Sequence, residues 1–273
     1  MPGDAERLLW LSAEAGWNQT AEDWRLMLAL GEGFCLWADD GAPVASALTL
    51  PYDGFAWLSM VLTTAPWRRR GLATRLVARC LERLSATGRT PLLDATEAGR
   101  RTYARLGFAD LWTYSRMAAD SPRLAPPAGT SVSVRAMEAV ELDAVAALEA
   151  RAFGAARPAL LAAMHARAPA LARVAEAGGR SVGLALARDG RLAVQLGPIV
   201  AETPEVATAL AAAALEHVQG RVFADLPDSQ AALRRTLEAA GFAAQRTLTR
   251  MARGGRDPGD ASLRFALAGP ELG

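Results

Sequence analysis

The sequence contains no lysine; all 30 of its basic residues are arginine. That excludes Schiff-base chemistry, including that of a pyridoxal-dependent enzyme, because both need a lysine amine. Cysteine is nearly as scarce. Cys35 and Cys80 are too few for a disulfide scaffold or a zinc cluster and read as small core residues. The two histidines, His165 and His217, have no partner at ligand spacing, so no metal is expected. The 30 basic residues are balanced by 29 acidic ones, which removes the electrostatic case for nucleic acid or an anionic membrane as a partner. No apolar run approaches the roughly 18 residues of a membrane span. The N-terminus lacks a basic region followed by an apolar stretch. These absences lead to the expectation of a soluble, cytoplasmic protein, monomeric or homodimeric.

What is present is apolar content, 51% of 273 residues, enough for the cores of two domains. A stretch holding Pro122, Pro126, Pro127 and Gly129 reads as a linker over residues 119–130, between a first domain at 1–118 and a second at 131–273 that ends in a C-terminal tail. The two halves repeat each other. Gly107-Phe108 and Arg116-Met117 recur at the same separation as Gly241-Phe242 and Arg250-Met251. Ala73-Thr74-x-Leu76 recurs as Ala207-Thr208-x-Leu210, and Leu81-Glu82 as Leu215-Glu216, all at one constant offset.

Periodicity and turn residues place helices in the first half at 5–15, 20–30, 71–86 and 99–106, and strands at 33–38, 43–50, 55–63, 90–95 and 111–117. The second half predicts strands at 132–135, 170–176, 181–188, 191–200, 221–225 and 244–252. Its helices fall at 138–150, 156–168, 205–219 and 229–239. The expected fold class is α/β, an α+β mixed sheet with helices on both faces, built twice.

The segment running from Met60 to Ala73 carries the chemistry. An apolar strand ends, a turn follows, and a helix begins behind Arg68, Arg69, Arg70 and Gly71. The unpaired N–H groups of a helix start attract an anion, phosphate above all. Gly71 and Ala73 leave room for a ligand beside the backbone. Three arginines at the end of a helix that disfavours cations point to an anionic ligand rather than to a solvated charge run.

The pattern Arg68-x-x-Gly71-x-Ala73 behind an apolar strand, followed by Tyr103-x-x-x-Gly107-Phe108, resembles the GNAT superfamily of N-acetyltransferases. The segments Ala15-Gly16-Trp17-Asn18-Gln19-Thr20-x-x-Asp23-Trp24, Leu93-Asp94-Ala95-Thr96 with Gly99-Arg100, and Leu196-Gly197-Pro198 are similar to a bacterial subgroup of tandem GNAT proteins. That resemblance covers nearly the whole chain. It implies acetyl-CoA as co-substrate, with Val61, Leu62 and Thr63 along the pantetheine arm and the backbone of Arg69, Arg70, Gly71, Leu72, Ala73 and Thr74, beside Arg68, on the diphosphate. Thr96 stands where family members often carry asparagine facing the cofactor. Tyr103 is implied as the general acid for the leaving thiolate. Trp17, Asn18, Asp23 and Asp94 are implied at the acceptor site. Asp94, Asp53, Asp23 and Glu97 are all open as the general base.

The implied reaction is acetyl transfer to a primary amine of a small molecule. A protein N-acetyltransferase and a non-catalytic coenzyme-A-binding sensor are the alternatives. The constant offset sets Glu202-Thr203-Pro204-Glu205 against Arg68-Arg69-Arg70-Gly71, and Leu237 against Tyr103. Carboxylates replace arginines and a proline removes a donor, so the second copy is expected to have lost the coenzyme site.

Overall fold

The structure, a computed structural model, describes residues 2–129 and 132–273. The first half runs α1 (Ala5–Glu14), α2 (Ala21–Leu30), β1 (Glu32–Trp37), β2 (Pro43–Pro51), β3 (Phe55–Thr63), α3 (Leu72–Ser85), β4 (Thr90–Thr96), α4 (Glu97–Arg105) and β5 (Ala109–Asp120). The second runs β6 (Ser133–Ala136), α5 (Leu142–Phe153), α6 (Pro158–Arg167), β7 (Arg173–Ala177), β8 (Arg180–Arg188), β9 (Val194–Ala201), α7 (Pro204–Leu215), β10 (Arg221–Pro227), α8 (Ala231–Ala239), β11 (Ala243–Ala252) and β12 (Arg264–Ala266). The expected α/β mixed sheet is present.

Local chemistry accounts for several element starts. Thr20 and Asp23 form a reciprocal capping box at α2. Thr96 accepts from the Gly99 N–H, which starts α4 at Glu97, earlier than periodicity predicts. Thr203 caps α7 in the same way, with Pro204 in its first turn. At its other boundary the expected linker starts later than residue 119, because Ala119 and Asp120 are still paired with Val222 and Arg221 as the end of β5. Thr130, the linker's last residue, lies outside the described residues.

The two halves do not form separate sheets. All strands join one sheet in the order β1-β2-β3-β4-β11-β5-β10-β9-β8-β7-β6, with β12 pairing β9. The last strand of each half has crossed into the other. β11 lies between β4 and β5, and β5 lies between β11 and β10. Each crossed strand is held by a buried ion pair to a residue directly opposite it. Arg250 of β11 binds Asp94 of β4 through two hydrogen bonds of 3.0 and 3.1 Å. Arg116 of β5 binds Asp225 of β10 at 2.8 and 2.7 Å. The repeated arginine of the sequence is therefore the clasp of the exchange, used once in each direction.

The core follows the same logic. α3 covers one face in the first half, with Leu76, Val77, Cys80 and Leu84 buried against β2, β3 and β4. α7 and α8 do so in the second half. A further core, built around Trp24, Trp57, Phe153 and Met164, takes residues from both halves. The C-terminal tail ends in it. Trp57 Nε1 donates to Pro270 O at 2.9 Å, Tyr52 Oη to Leu272 O at 2.9 Å, and Arg157 Nη1 to Leu272 O at 3.1 Å. Burial pushes the Tyr52 phenol up to about 12, which keeps it protonated and a donor. Among the described residues no helix is long and apolar enough to cross a membrane.

Candidate active site

β3 and β4 pair in parallel from Phe55–Leu58 to Thr90–Leu93 and then part. The cause lies in β3. Met60 adopts a φ of 50°, the ladder to β2 slips between Ser46 and Leu48, and Ser46 Oγ donates to the displaced Met60 carbonyl at 2.7 Å. Beyond Leu58 one edge of β3 has no strand beside it, and the side-chain hydroxyls of Ser59 and Thr63 are buried without a partner. The opening is a cavity of about 470 Å³.

The start of α3 lies beside it. Thr64–Gly71 connect β3 to the helix through a 3-10 turn at Ala65–Trp67. Arg69 and Gly71 have φ of 62° and 76°. α2, α4 and α7 are capped by a threonine, whereas α3, like α1, α5, α6 and α8, has no side-chain cap. What sets the uncapped start of α3 apart is that Arg68 and Ala73 place it on the cavity wall, where its first N–H groups can meet a ligand. A Cβ on Gly71 would meet nothing within 4 Å, so the space beside it is open as well. Arg68 lines the cavity and is steered there by a 3.1 Å hydrogen bond from its Nε to Thr63 O. Arg70 turns instead over the Trp67 ring, 4.8 Å from its centroid.

The walls come from both halves. The first half contributes Val61, Leu62, Thr63, Ala73, Thr96, Tyr103, Trp17 and Gln19, and the second contributes Arg246, Leu248, Pro270 and Glu271. Tyr103 packs edge-on to Phe108, and burial raises its phenol to about 12, so the hydroxyl holds its proton at neutral pH. Glu271 shares one carboxylate oxygen with Arg188, while its Oε2 is buried without a partner. Desolvation holds its pKa above the usual carboxylate range. Gly269 makes that placement possible. Its φ is 131°, and a Cβ there would lie 3.0 Å from Glu271 Oε1.

Of the residues expected at the site, Val61, Leu62, Thr63, Arg68, Ala73, Thr96, Tyr103, Trp17 and Asp94 line this cavity. Arg69, Arg70, Gly71, Leu72 and Thr74 form the loop and first turn at its side. Two expectations for the acceptor site, Asn18 and Asp23, are corrected, and a third, Asp94, lies at the cavity wall with its oxygens already engaged. Asn18 is 1% exposed and bridges the halves, its side chain bonded to Ala193 O and to the N–H groups of Leu192 and Ala193. Asp23, fully buried, caps α2 and pairs with Arg167 and Arg188. Asp94 reaches the cavity wall, but both its oxygens are taken by Arg250 and one also accepts from Tyr114 Oη at 2.8 Å. None of these three has a free atom for an acceptor. Asp53 and Glu97 are exposed and outside the lining.

Sequence reasoning missed Gln19, Ser59, Arg246 and Glu271. The signal for Glu271 is the apolar run Phe265–Ala268 between glycine- and proline-containing segments, which marks a buried tail rather than a trailing one.

The corresponding opening in the second half is closed. β9 and β10 pair at Val194–Leu196 and Val222–Ala224 and then part. β12 pairs with the freed end of β9, and Leu267 N–H donates to Asp225 O of β10 at 2.9 Å. Only Glu202 and Thr203 connect β9 to α7, so the loop is shortened as well as altered in charge. Glu202 pairs with Arg180 at 2.5 and 2.7 Å, and Leu237, the counterpart of Tyr103, is core.

Two family models match the sequence, one described as the acetyltransferase (GNAT) family over residues 5–108, the other as an acetyltransferase (GNAT) domain over 145–264. A crystal structure of a Pyrococcus horikoshii protein proposed as an acetyltransferase superposes with a TM-score of 0.81 at 20% identity, covering 100% of this chain and 94% of the other. A GCN5-related N-acetyltransferase from Sphaerobacter thermophilus gives 0.67 at 18% identity, over 94% and 95% of the chains. A tandem GNAT protein from the clavulanic acid biosynthesis pathway gives 0.65 at 18% identity, over 93% and 96%. No curated protein matches.

Proposed function

We propose, from the premise that the chain belongs to the GNAT acetyltransferases as a tandem of two such domains, that it transfers an acetyl group from acetyl-CoA to the amine of a small molecule. The observation that carries this reading is the parting of β3 and β4 beside the uncapped start of α3. The free edge of β3 at Ser59–Thr63 would hold an extended pantetheine arm as an added strand. The N–H groups at the start of α3, with Arg68, would hold the diphosphate. The orphaned hydroxyls of Ser59 and Thr63 fit such a ligand. The cavity has the volume of a small-molecule site.

Acetyl-CoA would supply the acetyl group as a thioester, whose C–S bond is replaced by an amide bond to the acceptor nitrogen. Glu271 Oε2 accepts the proton that the amine must lose, and a raised pKa makes this carboxylate the better base. Tyr103 Oη gives its proton to the departing sulfur. Its hydroxyl has the room and the protonation state for that step.

The test is thiol release from acetyl-CoA across a panel of small amines, with wild type and Tyr103→Phe. The reading expects amine-dependent release, and a kcat lower by about 10²–10⁴-fold in the variant at unchanged acetyl-CoA affinity. Tight acetyl-CoA binding without release for any amine would make the protein a binder rather than an enzyme.

A further inference from the structure

Among the described residues lining the cavity, Arg246 is a cation with no hydrogen-bond or ion-pair partner. It lies on β11 just past a slip in the ladder to β5 and lines the cavity. Arg246 is half-buried, and the fully buried arginines are accounted for. Arg116, Arg157, Arg188, Arg250 and Arg264 each pair with a carboxylate. Arg173 donates to the main-chain carbonyls of Ala172 and Ala213. Arg246 does neither. Its Nε is buried without a partner, as are those of Arg188 and Arg264, but unlike theirs its guanidinium reaches no carboxylate, and burial together with the nearby Arg116 lowers its pKa. A cation so placed is costly unless an anion meets it.

The surrounding charges do not supply that anion. Asp225 is engaged by Arg116 and Gln195, and Asp94 by Arg250 and Tyr114. Glu271, on the same cavity wall, is bound on one side by Arg188 and free on the other. The second half therefore presents one unpaired cationic group and one free carboxylate oxygen to a site whose acetyl end belongs to the first half.

We infer that the acceptor is a small zwitterion, an amine that also bears an oxyanion, with the oxyanion held by Arg246 and the amine turned toward Glu271. This rests on the acetyl-transfer reading above and names its substrate class. A guanidinium recognises a carboxylate or a phosphonate through paired N–H groups, so either oxyanion meets the requirement. A neutral or purely cationic amine leaves the half-buried Arg246 guanidinium, with its buried Nε, without an anionic partner.

The experiment measures kcat/KM with saturating acetyl-CoA for short amino acids, their carboxamides and the matching aminoalkylphosphonates, in wild type, Arg246→Gln and Arg246→Lys. Acetyl-CoA binding is followed separately by calorimetry, and folding by thermal melting. The expected result is a wild-type preference of about 10–100-fold for an oxyanion-bearing amine over its carboxamide, collapsing toward parity in Arg246→Gln and partly kept in Arg246→Lys. The relative rates of carboxylate and phosphonate identify the anion. Equal use of amino acid and carboxamide by the wild type, or a preference that survives Arg246→Gln, overturns the inference while leaving acetyl transfer intact. Failure of the wild type to bind acetyl-CoA overturns both.

Discussion

In the first half β3 and β4 part after Leu58 and Leu93 and leave a cavity; in the second, β9 and β10 part after Leu196 and Ala224 and β12 lies in the gap. Both halves keep the strand order, the flanking helices and even the arginine that anchors the last strand. Apart from β6, an added edge strand in the second half, what differs is confined to one connection and one short strand. The loop of Thr64–Gly71, with three arginines and an uncapped helix behind it, has become Glu202 and Thr203, whose side chain caps the helix itself. The second copy thus covers with its own chain the strand edge and helix start that the first leaves open. The same C-terminal segment that fills the second opening then carries Pro270 and Glu271 into the wall of the first. Closure of one cleft and completion of the other's wall follow from a single chain path.

The largest expected effect is at Gly71. Gly71→Glu puts bulk and negative charge at the start of α3. Removing two charge-assisted hydrogen bonds weakens acetyl-CoA binding by about 10²–10⁴-fold. Glu202→Gln, at the matching place in the second half, leaves affinity unchanged. Calorimetry on both folded variants checks the contrast, and equal losses would break it.

The exchange of last strands gives the next largest effect. Arg250→Met and Arg116→Met each strand a buried aspartate, at a loss of about 3–5 kcal/mol of unfolding free energy. Arg250 is expected to lose more, because its guanidinium also lies 4.4 Å from the ring centroids of both Trp57 and Trp112, whereas Arg116 has Phe223 at 5.1 Å. Denaturant titration measures both. A near-neutral Arg116→Met would show that only one crossing is clasped.

A pH profile tests the contribution of the tail. Since the proton acceptor must be ionised, kcat/KM should fall as pH drops through the raised pKa of Glu271, above the usual carboxylate range. Tyr103, at about 12, should add no limb on the alkaline side of neutrality. Glu271→Gln lowers the rate and removes that acid limb. On stability the sign is opposite. A carboxyl whose folded pKa is raised stabilises fully only below its unfolded value and loses that contribution as pH rises. Glu271→Gln should therefore melt no lower than wild type at pH 7, a result that thermal melts at pH 4 and pH 7 compare.

The smallest effects are symmetric. Thr96→Ala and Thr203→Ala each remove a helix cap and should each lower stability by about 0.5–2 kcal/mol, read from unfolding curves.

Much of this was legible in the residues. The arginine loop at Arg68–Gly71 runs against helix-end electrostatics, so it stands out of one sequence alone, and Tyr103 with Gly107-Phe108 falls at the helix–strand junction where it was expected. The duplicated Arg116-Met117 and Arg250-Met251 marked equivalent strands. Their equivalence could not say which sheet each joins, because either edge offers the same aspartate opposite the same arginine. The corrections at Asn18 and Asp23, and the engaged oxygens of Asp94, have a related reason. Asn18, Asp23 and Asp94 are polar residues near a site, and only the partners brought by the other half, Ala193, Arg188 and Arg250, reveal that they are already satisfied. β12 is a run of three residues with no periodic signature, so the apolar run Phe265–Ala268 marks a buried tail without showing that it pairs with β9.

The crossing of β5 and β11 also means that the halves should not be assayed as fragments, since each would lack the strand that borders its own central gap. The direct measurement is the stoichiometry of acetyl-CoA binding to the full-length chain by calorimetry. One site per chain, abolished by Gly71→Glu, is the result that an open first cleft and a filled second one require. Two sites per chain, or one that survives Gly71→Glu, would contradict it.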